Sequence, residues 1–324
     1  MSNTTIRSHY LPRTYLKHFL LEDNLFMYMK GEKFFKKGSE SSNRIVKIVS
    51  ENGLKNVALE NNLYDPGIPG LSSNDLEEIF RGYGEDFYND LIASIYSLQA
   101  GEEIPDEIKD KICLFIASMR VRTPQFKREI EEIAEVFTKH DMSKKFGSMS
   151  LEEIIKFNKE KLNNELTKDE ARKIQEVFKE KKYELKYPNG YFIKIALLQL
   201  NHFADIYRKM TINIIKSSYR YFITSDNPVV YFVPREKVDS YNSYKSLVSP
   251  YSELFFSLSQ NLGVTLNWRK MEERIMPENR EVIDIFNYNI SHNSFDFIFS
   301  PLEMNSLNKF VEEYIPYPFK INIH

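Results

Sequence analysis

The stretch Tyr221-Phe-Ile-Thr-Ser-Asp-Asn-Pro-Val-Val-Tyr-Phe-Val233 carries the most information in this 324-residue chain. It reads as an apolar strand, a polar break at Ser225-Asp226-Asn227-Pro228, and a second apolar strand. Asp226 and Asn227 can each hydrogen-bond their own backbone, and Pro228 disfavours helix at Asn227. A strand, a break and a strand present an acidic side chain from rigid elements while keeping it accessible. The plain alternative is an Asx turn in which Asp226 merely shapes the corner.

Working outward, the period after Tyr219 is that of strands, expected near 219–224, 228–233, 253–258 and 262–267. A helix over about 279–293, a strand at 295–300 and a short helix from near Pro301 follow, and Pro316 and Pro318 end the regular structure. Upstream, from about 74 to 215, the pattern is helical. Ile108, Ile112, Phe115, Ile116 and Met119 form one stripe, which Phe126, Ile130, Ile133, Ala134 and Phe137 continue beyond Pro124. The most apolar helix is expected over Phe192 to Ile215. The segment from Leu151 to Lys186 is laced with charges of both signs and reads as exposed helices.

The first 70 residues suggest a short helix after Pro12 and strands at Asn24–Met29 and around Ile45-Val-Lys-Ile-Val. A loop from Gly67 to Asn74 leads to a helix capped by Ser73 or Asn74, with Glu77 or Glu78 in its first turn. The expected fold is one integrated α+β domain over 1–324, mostly helical, with a small, mainly antiparallel sheet formed by N-terminal and C-terminal strands. Residues 74–215 would be a helical lobe within it.

Composition bounds the function. Hydrophobic residues make up 42% of the chain and aromatic residues 14%, ample for a packed core. Lys and Arg number 44 against 46 Asp and Glu. The overall charge therefore does not announce nucleic-acid binding, although a local basic groove could still serve it. The single cysteine, Cys113, excludes an intrachain disulfide and a cysteine-rich zinc site, and its apolar helical setting marks it as core. No secretory signal is expected at the N-terminus. The helix over 192–215 is interrupted by Lys194, Gln199, Asn201, His202, Asp205, Arg208 and Lys209, so a cytoplasmic, non-membrane protein is expected.

Few residues carry chemistry. His9 stands just ahead of the first helix and could act as acid, base or metal ligand, or simply cap the helix. His18, His140, His202, His292 and His324 carry less signal, and no histidine spacing typical of metal sites occurs. Glu78 and Glu85 lie seven apart on one helix and so share a face. Two carboxylates under partial cover could hold a divalent cation such as Mg²⁺ or divide acid and base roles. Ordinary amphipathicity would leave them in water. Arg122, in Met119-Arg-Val-Arg-Thr-Pro124, could bond the carbonyls that end its helix or project as an anion clamp. Tyrosine clusters at Tyr219-Arg-Tyr221 and Tyr241-Asn-Ser-Tyr244 could stack bases or serve packing. No glycine-rich phosphate loop or nucleophile elbow is present.

Several of these segments together resemble one family, known as domain of unknown function 4238. His9-Tyr-Leu-Pro-Arg-Thr-Tyr-Leu-Lys-His-Phe19 looks like its N-terminal signature, and Phe222-Ile-Thr-Ser-Asp-Asn-Pro-Val229 like its second. Glu60-Asn-Asn-Leu-Tyr64, Glu78, Glu85, Arg122-Thr-Pro124, Leu254-Phe-Phe-Ser-Leu-Ser259 and Asn287 also fit. This chain has Asn-Leu-Tyr where Asn-Phe-Tyr is more typical, and residues 143–186 fit poorly. The resemblance picks out His9, Asn62, Glu78, Glu85, Arg122, Ser225, Asp226, Asn227 and Asn287, without assigning them an activity.

The leading expectation is a hydrolase whose site gathers His9, Glu78, Glu85, Arg122, Asp226 and Asn287. Asp226 or a glutamate would be base or cation ligand, His9 acid, and Arg122 the stabiliser of anionic charge. That set suits phosphodiester or N-glycosidic bonds, hence a nucleic acid or nucleotide substrate, with bacterial defence as the setting. The competing expectation is a non-enzymatic binding or sensor domain in which the same residues form a buried network. The hydrolase expectation requires the N-terminal segment to fold back so that His9 and Asp226 face one cavity.

Overall fold

A computed structural model of the chain describes residues 7–30, 46–65, 67, 71–234, 237, 247 and 249–313. Ile45, part of the loop before Asn74, Tyr241, Tyr244, Pro316, Pro318 and His324 lie outside these residues.

The fold is α+β and mostly helical, with 52% helix against 18% strand. The single small sheet expected from the sequence is three sheets among the described residues. Strands β1 (Arg7–His9) and β4 (Leu59–Asn61) form an antiparallel pair. A four-stranded sheet has the order β3 (Val46–Ser50), β2 (Asn24–Met29), β11 (Phe297–Ser300), β6 (Thr224–Ser225), so it does join N-terminal to C-terminal strands. A five-stranded sheet has the order β10 (Ile275–Met276), β5 (Thr211–Lys216), β9 (Leu262–Asn267), β8 (Glu253–Ser259), β7 (Val230–Phe232). All the pairings are antiparallel except β10 with β5.

The 221–233 stretch does form a strand, a break and a strand. Its two strands are shorter than expected and belong to different sheets: β6 pairs with β11, whereas β7 pairs with β8. Ser225 to Pro228 carry the chain across from one sheet to the other.

Helices α2 (Ser73–Phe80), α3 (Tyr88–Ser97), α4 (Asp106–Val121), α5 (Pro124–Ser148), α6 (Leu151–Leu162), α7 (Lys168–Lys179) and α8 (Asn189–Lys209) run between the two groups of strands. The cap of α2 is Ser72, one residue earlier than expected. Its hydroxyl accepts from the Asp75 N–H at 3.2 Å while the Asp75 carboxylate accepts from the Ser72 N–H at 2.7 Å, a reciprocal capping box. The helix expected to reach Ile215 ends at Lys209, and Thr211-Ile-Asn-Ile-Ile-Lys216 is the strand β5. Its β-branched residues pack better on a pleated surface than in a helical turn. Ile212 and Ile214 are fully buried there.

The N-terminal hook is short. Helix α1 (Arg13–Lys17) follows Pro12, and α9 (Arg280–Asn293) and α10 (Asn305–Glu313) complete the helices. Tyr15 anchors the hook. It is fully buried, its hydroxyl donates to the Ser257 carbonyl at 2.8 Å, and it shares a 2.6 Å hydrogen bond with the Thr224 hydroxyl. That one phenol ties the front of the chain to both larger sheets.

Candidate functional site

Arg122 is the centre of one polar cluster. It ends α4, and Thr123 then caps α5 by accepting from the Phe126 N–H at 3.2 Å, with Pro124 in the first helical turn. The Arg122 side chain is only 4% exposed. Its guanidinium donates to the Glu85 carboxylate at 2.9 Å and to the His9 carbonyl at 3.0 Å, and makes a long 3.4 Å contact to the Tyr64 hydroxyl. Tyr64 in turn donates to the Arg122 carbonyl at 2.9 Å, and the Phe80 ring lies under the guanidinium, 5.2 Å to its centroid. Burial raises the Tyr64 phenol to about 12, so it stays a neutral donor.

A single π-helical turn, Arg81–Glu85, places Glu85. Such turns recur at functional sites because they re-aim side chains within a helical run. Gly84 is required in it. A Cβ there would come within 2.4 Å of the Phe115 ring on α4. Glu78, one stretch earlier, is exposed and lines a shallow groove with Asp75, Ile79, Gly82 and Tyr83. Glu78 and Glu85 therefore serve different surroundings. The α2 glutamate whose charge reaches Tyr64 is Glu77.

His9 sits at the edge of this cluster. Its imidazole bonds the Lys55 carbonyl, which requires a ring N–H, and the charges around it are Arg13, Arg122 and Glu85. Nε2 is covered and has no hydrogen-bond partner. Burial holds the imidazole below its ordinary value, with the two arginines acting the same way. The ring is thus neutral at pH 7, with a lone pair left over.

Asp226 lies in a second, separate cluster. Its carboxylate accepts three backbone N–H groups, from Phe295 at 2.8 Å, Asp296 at 2.6 Å and Phe297 at 3.0 Å. Burial raises it to about 6 with help from the Asp296 charge, although the three N–H bonds pull the other way. Ser225 and Asn227 close the corner: the Ser225 hydroxyl donates to the Asn227 carbonyl at 3.0 Å and accepts from the Asn227 N–H at 3.2 Å. The Asn227 amide donates to the Asn293 carbonyl at 2.9 Å, while its Oδ1 is buried without a partner. Asn287, on α9, grips the chain just upstream. Its amide donates to the Tyr221 carbonyl at 2.8 Å and its oxygen accepts from the Ile223 N–H at 3.0 Å.

Of the residues singled out by sequence, the structure brings together His9, Glu85 and Arg122, and separately Ser225, Asp226 and Asn227, with Asn287 beside them. The hook residue whose side chain feels Asp226 is Tyr10, because successive side chains on extended backbone point to opposite faces. Asn62 is explained by its backbone, a left-handed φ of 56° that asparagine tolerates. Among the described residues no three His, Cys, Asp or Glu side chains gather into a group able to hold a metal ion. Sequence reasoning missed Arg13 and Tyr64 as members of the site. Both stand inside segments already quoted, but only the fold shows what they touch.

An α+β fold whose polar signature is gathered from distant segments defines a class by its motif positions. The chain belongs to the family described as protein of unknown function (DUF4238), whose model matches residues 7–301. No curated protein and no solved structure matches it. Among the described residues no helix is long and apolar enough to cross a membrane.

Proposed function

We propose that this chain is a cytoplasmic binding or sensor protein for nucleic acid or nucleotides, in which most of the polar signature is structural. One observation carries the reading. The carboxylate of Asp226, the amide of Asn287 and the guanidinium of Arg122 are each engaged by two or three groups of the folded chain. A base or an anion clamp needs unengaged lone pairs or donors at the reacting atom. These three residues instead fix the hook, the π-turn and the sheet-to-sheet corner. What stays uncommitted is the neighbourhood of His9, where Arg13 is exposed and has no ion pair among the described residues. Calorimetric titration with nucleotides and with short RNA and DNA strands tests the reading. Saturable binding that weakens with salt supports it; absence of binding to every probe sinks it.

A second reading, a hydrolase of phosphodiester or N-glycosidic bonds, is favoured by the unpartnered Nε2 of His9. A neutral imidazole whose other nitrogen is tied to a carbonyl is a competent general base, and such a base contributes roughly 10²–10⁴-fold to rate. Since Nε2 is covered, substrate would have to displace its cover. A metal scan of cleavage on RNA, DNA and nucleotides, repeated with His9→Gln, separates the two readings. Cleavage that the substitution abolishes would make the chain an enzyme.

A further inference from the structure

One arginine of the helical lobe is placed unlike the rest. Arg81, Arg120, Arg122, Arg172 and Arg208 each pair with a carboxylate. Arg128, on α5, forms no ion pair among the described residues, although Glu131 and Glu132 stand three and four residues further along its own helix. Its guanidinium lies instead over the Phe295 ring, 3.5 Å from the centroid, and Nη1 is covered without a hydrogen-bond partner. The backbone of Phe295 is fixed in turn, since its N–H donates to the Asp226 carboxylate at 2.8 Å.

The stack borders a groove. Arg128 lines it with Glu131 of its own helix and with Leu185, Lys186 and Tyr187 from the segment that leads into α8. Phe295 does not line it, so the ring backs the guanidinium and leaves the other face to the groove. Tyr187 is held by its hydroxyl, which donates to Thr138 at 3.3 Å, and by stacking on Tyr191. Glu132 and Glu135 complete the lining, and Glu135 pairs with Lys139 at 2.6 Å. Glu131 is half-buried and forms no ion pair among the described residues. Three carboxylates against Arg128 and Lys186 disfavour a phosphate here. They favour a flat ring that stacks on the arginine and offers N–H groups at its edge.

We propose that this groove takes a nucleobase bearing an exocyclic amino group, adenine or cytosine, stacked on the open face of the Arg128 guanidinium. The inference rests on the nucleotide-binding reading and names the part of the ligand that is recognised. A guanidinium is planar and stacks on aromatic faces, where its charge meets the ring's electron-rich side. Stacking alone tolerates every base. Selectivity comes from Glu131, whose carboxylate accepts from an amino group at the base edge, as acidic side chains do with cytosine. Uracil presents a carbonyl at the corresponding place and would set oxygen against oxygen.

The test titrates the full-length protein with the neutral nucleosides adenosine, cytidine and uridine, following the Phe295 ring protons by NMR. Adenosine and cytidine should shift the signal saturably, and uridine should bind more weakly. Arg128→Gln and Arg128→Lys should both weaken adenosine at least about fivefold, because lysine keeps the charge and loses the plane. Glu131→Gln should narrow the preference for adenosine over uridine. Neither side chain forms an ion pair within the described fold, so the variants should match the wild-type Tm. No shift in the wild type, or equal adenosine affinity in the wild type and either Arg128 variant, overturns the inference. Adenosine monophosphate and short RNA strands titrated in parallel keep the two claims apart. If they bind the wild type and Arg128→Gln alike, the stacking site falls and the binding reading stands. If the nucleosides behave as expected but neither the nucleotide nor any strand binds, the broader reading falls alone.

Discussion

The two polar clusters treat ionisable groups in opposite ways. At the Asp226 corner a carboxylate is taken out of water and compensated by three backbone N–H groups of one turn. At the hook a guanidinium does the bracing, through Glu85 and the His9 carbonyl, while the imidazole beside it keeps a free lone pair. Both look alike in sequence, as polar residues in short signatures. A buried ion whose bonds are all made is a brace, whereas the covered Nε2 of the half-buried His9 ring is left for a ligand or a reaction to engage once its cover is displaced.

The most direct way to break this contrast is to remove each group in turn. Asp226→Ala leaves three partly buried N–H groups without this acceptor and should cost about 3 kcal/mol, read as a fall in the denaturant midpoint. His9→Gln removes a ring whose Nε2 bonds nothing and should cost far less, under about 1.5 kcal/mol. Equal losses in the two variants would mean that His9 is as structural as Asp226.

A pH experiment sharpens the same comparison, because the two groups are displaced in opposite directions relative to stability. Asp226 is raised in the fold to about 6. The folded state therefore holds its proton more tightly than the unfolded chain, and stability falls as pH rises from about 4 to about 6. The full swing is at most about 3 kcal/mol. His9 is lowered. The unfolded chain binds its proton more readily, so the contribution of His9 is complete above about 6.5 and is lost below it. In the wild type the two slopes oppose each other. Relative to the wild type, Asp226→Asn should remove a fall in stability between about 4 and 6, and His9→Gln should remove a rise that is complete near 6.5. Identical pH profiles for the two variants would refute the assignment.

The Arg122 cluster itself yields to a double-mutant cycle. Glu85→Gln and Arg122→Lys share a hydrogen bond and should couple by roughly 0.5–3 kcal/mol. His9→Gln and Asp226→Asn share no bond and should add within about 0.5 kcal/mol. Strong coupling in the second pair would merge the two clusters into one.

How much of this could be read beforehand depends on the range of the interaction. Capping, helical stripes and the β-branched strands are local, and the long helices and the strands at 24–29 and 262–267 lie near where the pattern puts them. Strand partners are not local. Nothing between Tyr221 and Val233 says that Thr224 will pair with β11 and Val230 with β8, so a strand, a break and a strand leave the partners open. Thr211–Lys216 was hidden by the apolar helix it follows, because a short apolar run has no period that tells strand from helix. The site divides the same way. Polar residues in signatures mark themselves out, but whether a carboxylate is free or held by N–H groups 69 to 71 residues away is settled only by tertiary structure.

Gly84 offers the finest test, since it carries no charge and belongs to neither cluster. Its missing side chain lets the π-turn lie against Phe115, and a methyl there would be 2.4 Å from one ring carbon and 3.0 Å from another. Phe115 cannot readily yield: it is buried, stacked on Tyr88 at 4.3 Å between centroids and packed against Tyr15 and Phe256. The turn must move instead, at a cost of about 1–3 kcal/mol, and Glu85 moves with it. Gly84→Ala should therefore lower the Tm modestly and displace the NMR signals of His9, while those of Phe295 to Phe297, which share no hydrogen bond with the π-turn, move far less. Signals that shift at the corner and not at His9 would show that the π-turn does not position Glu85.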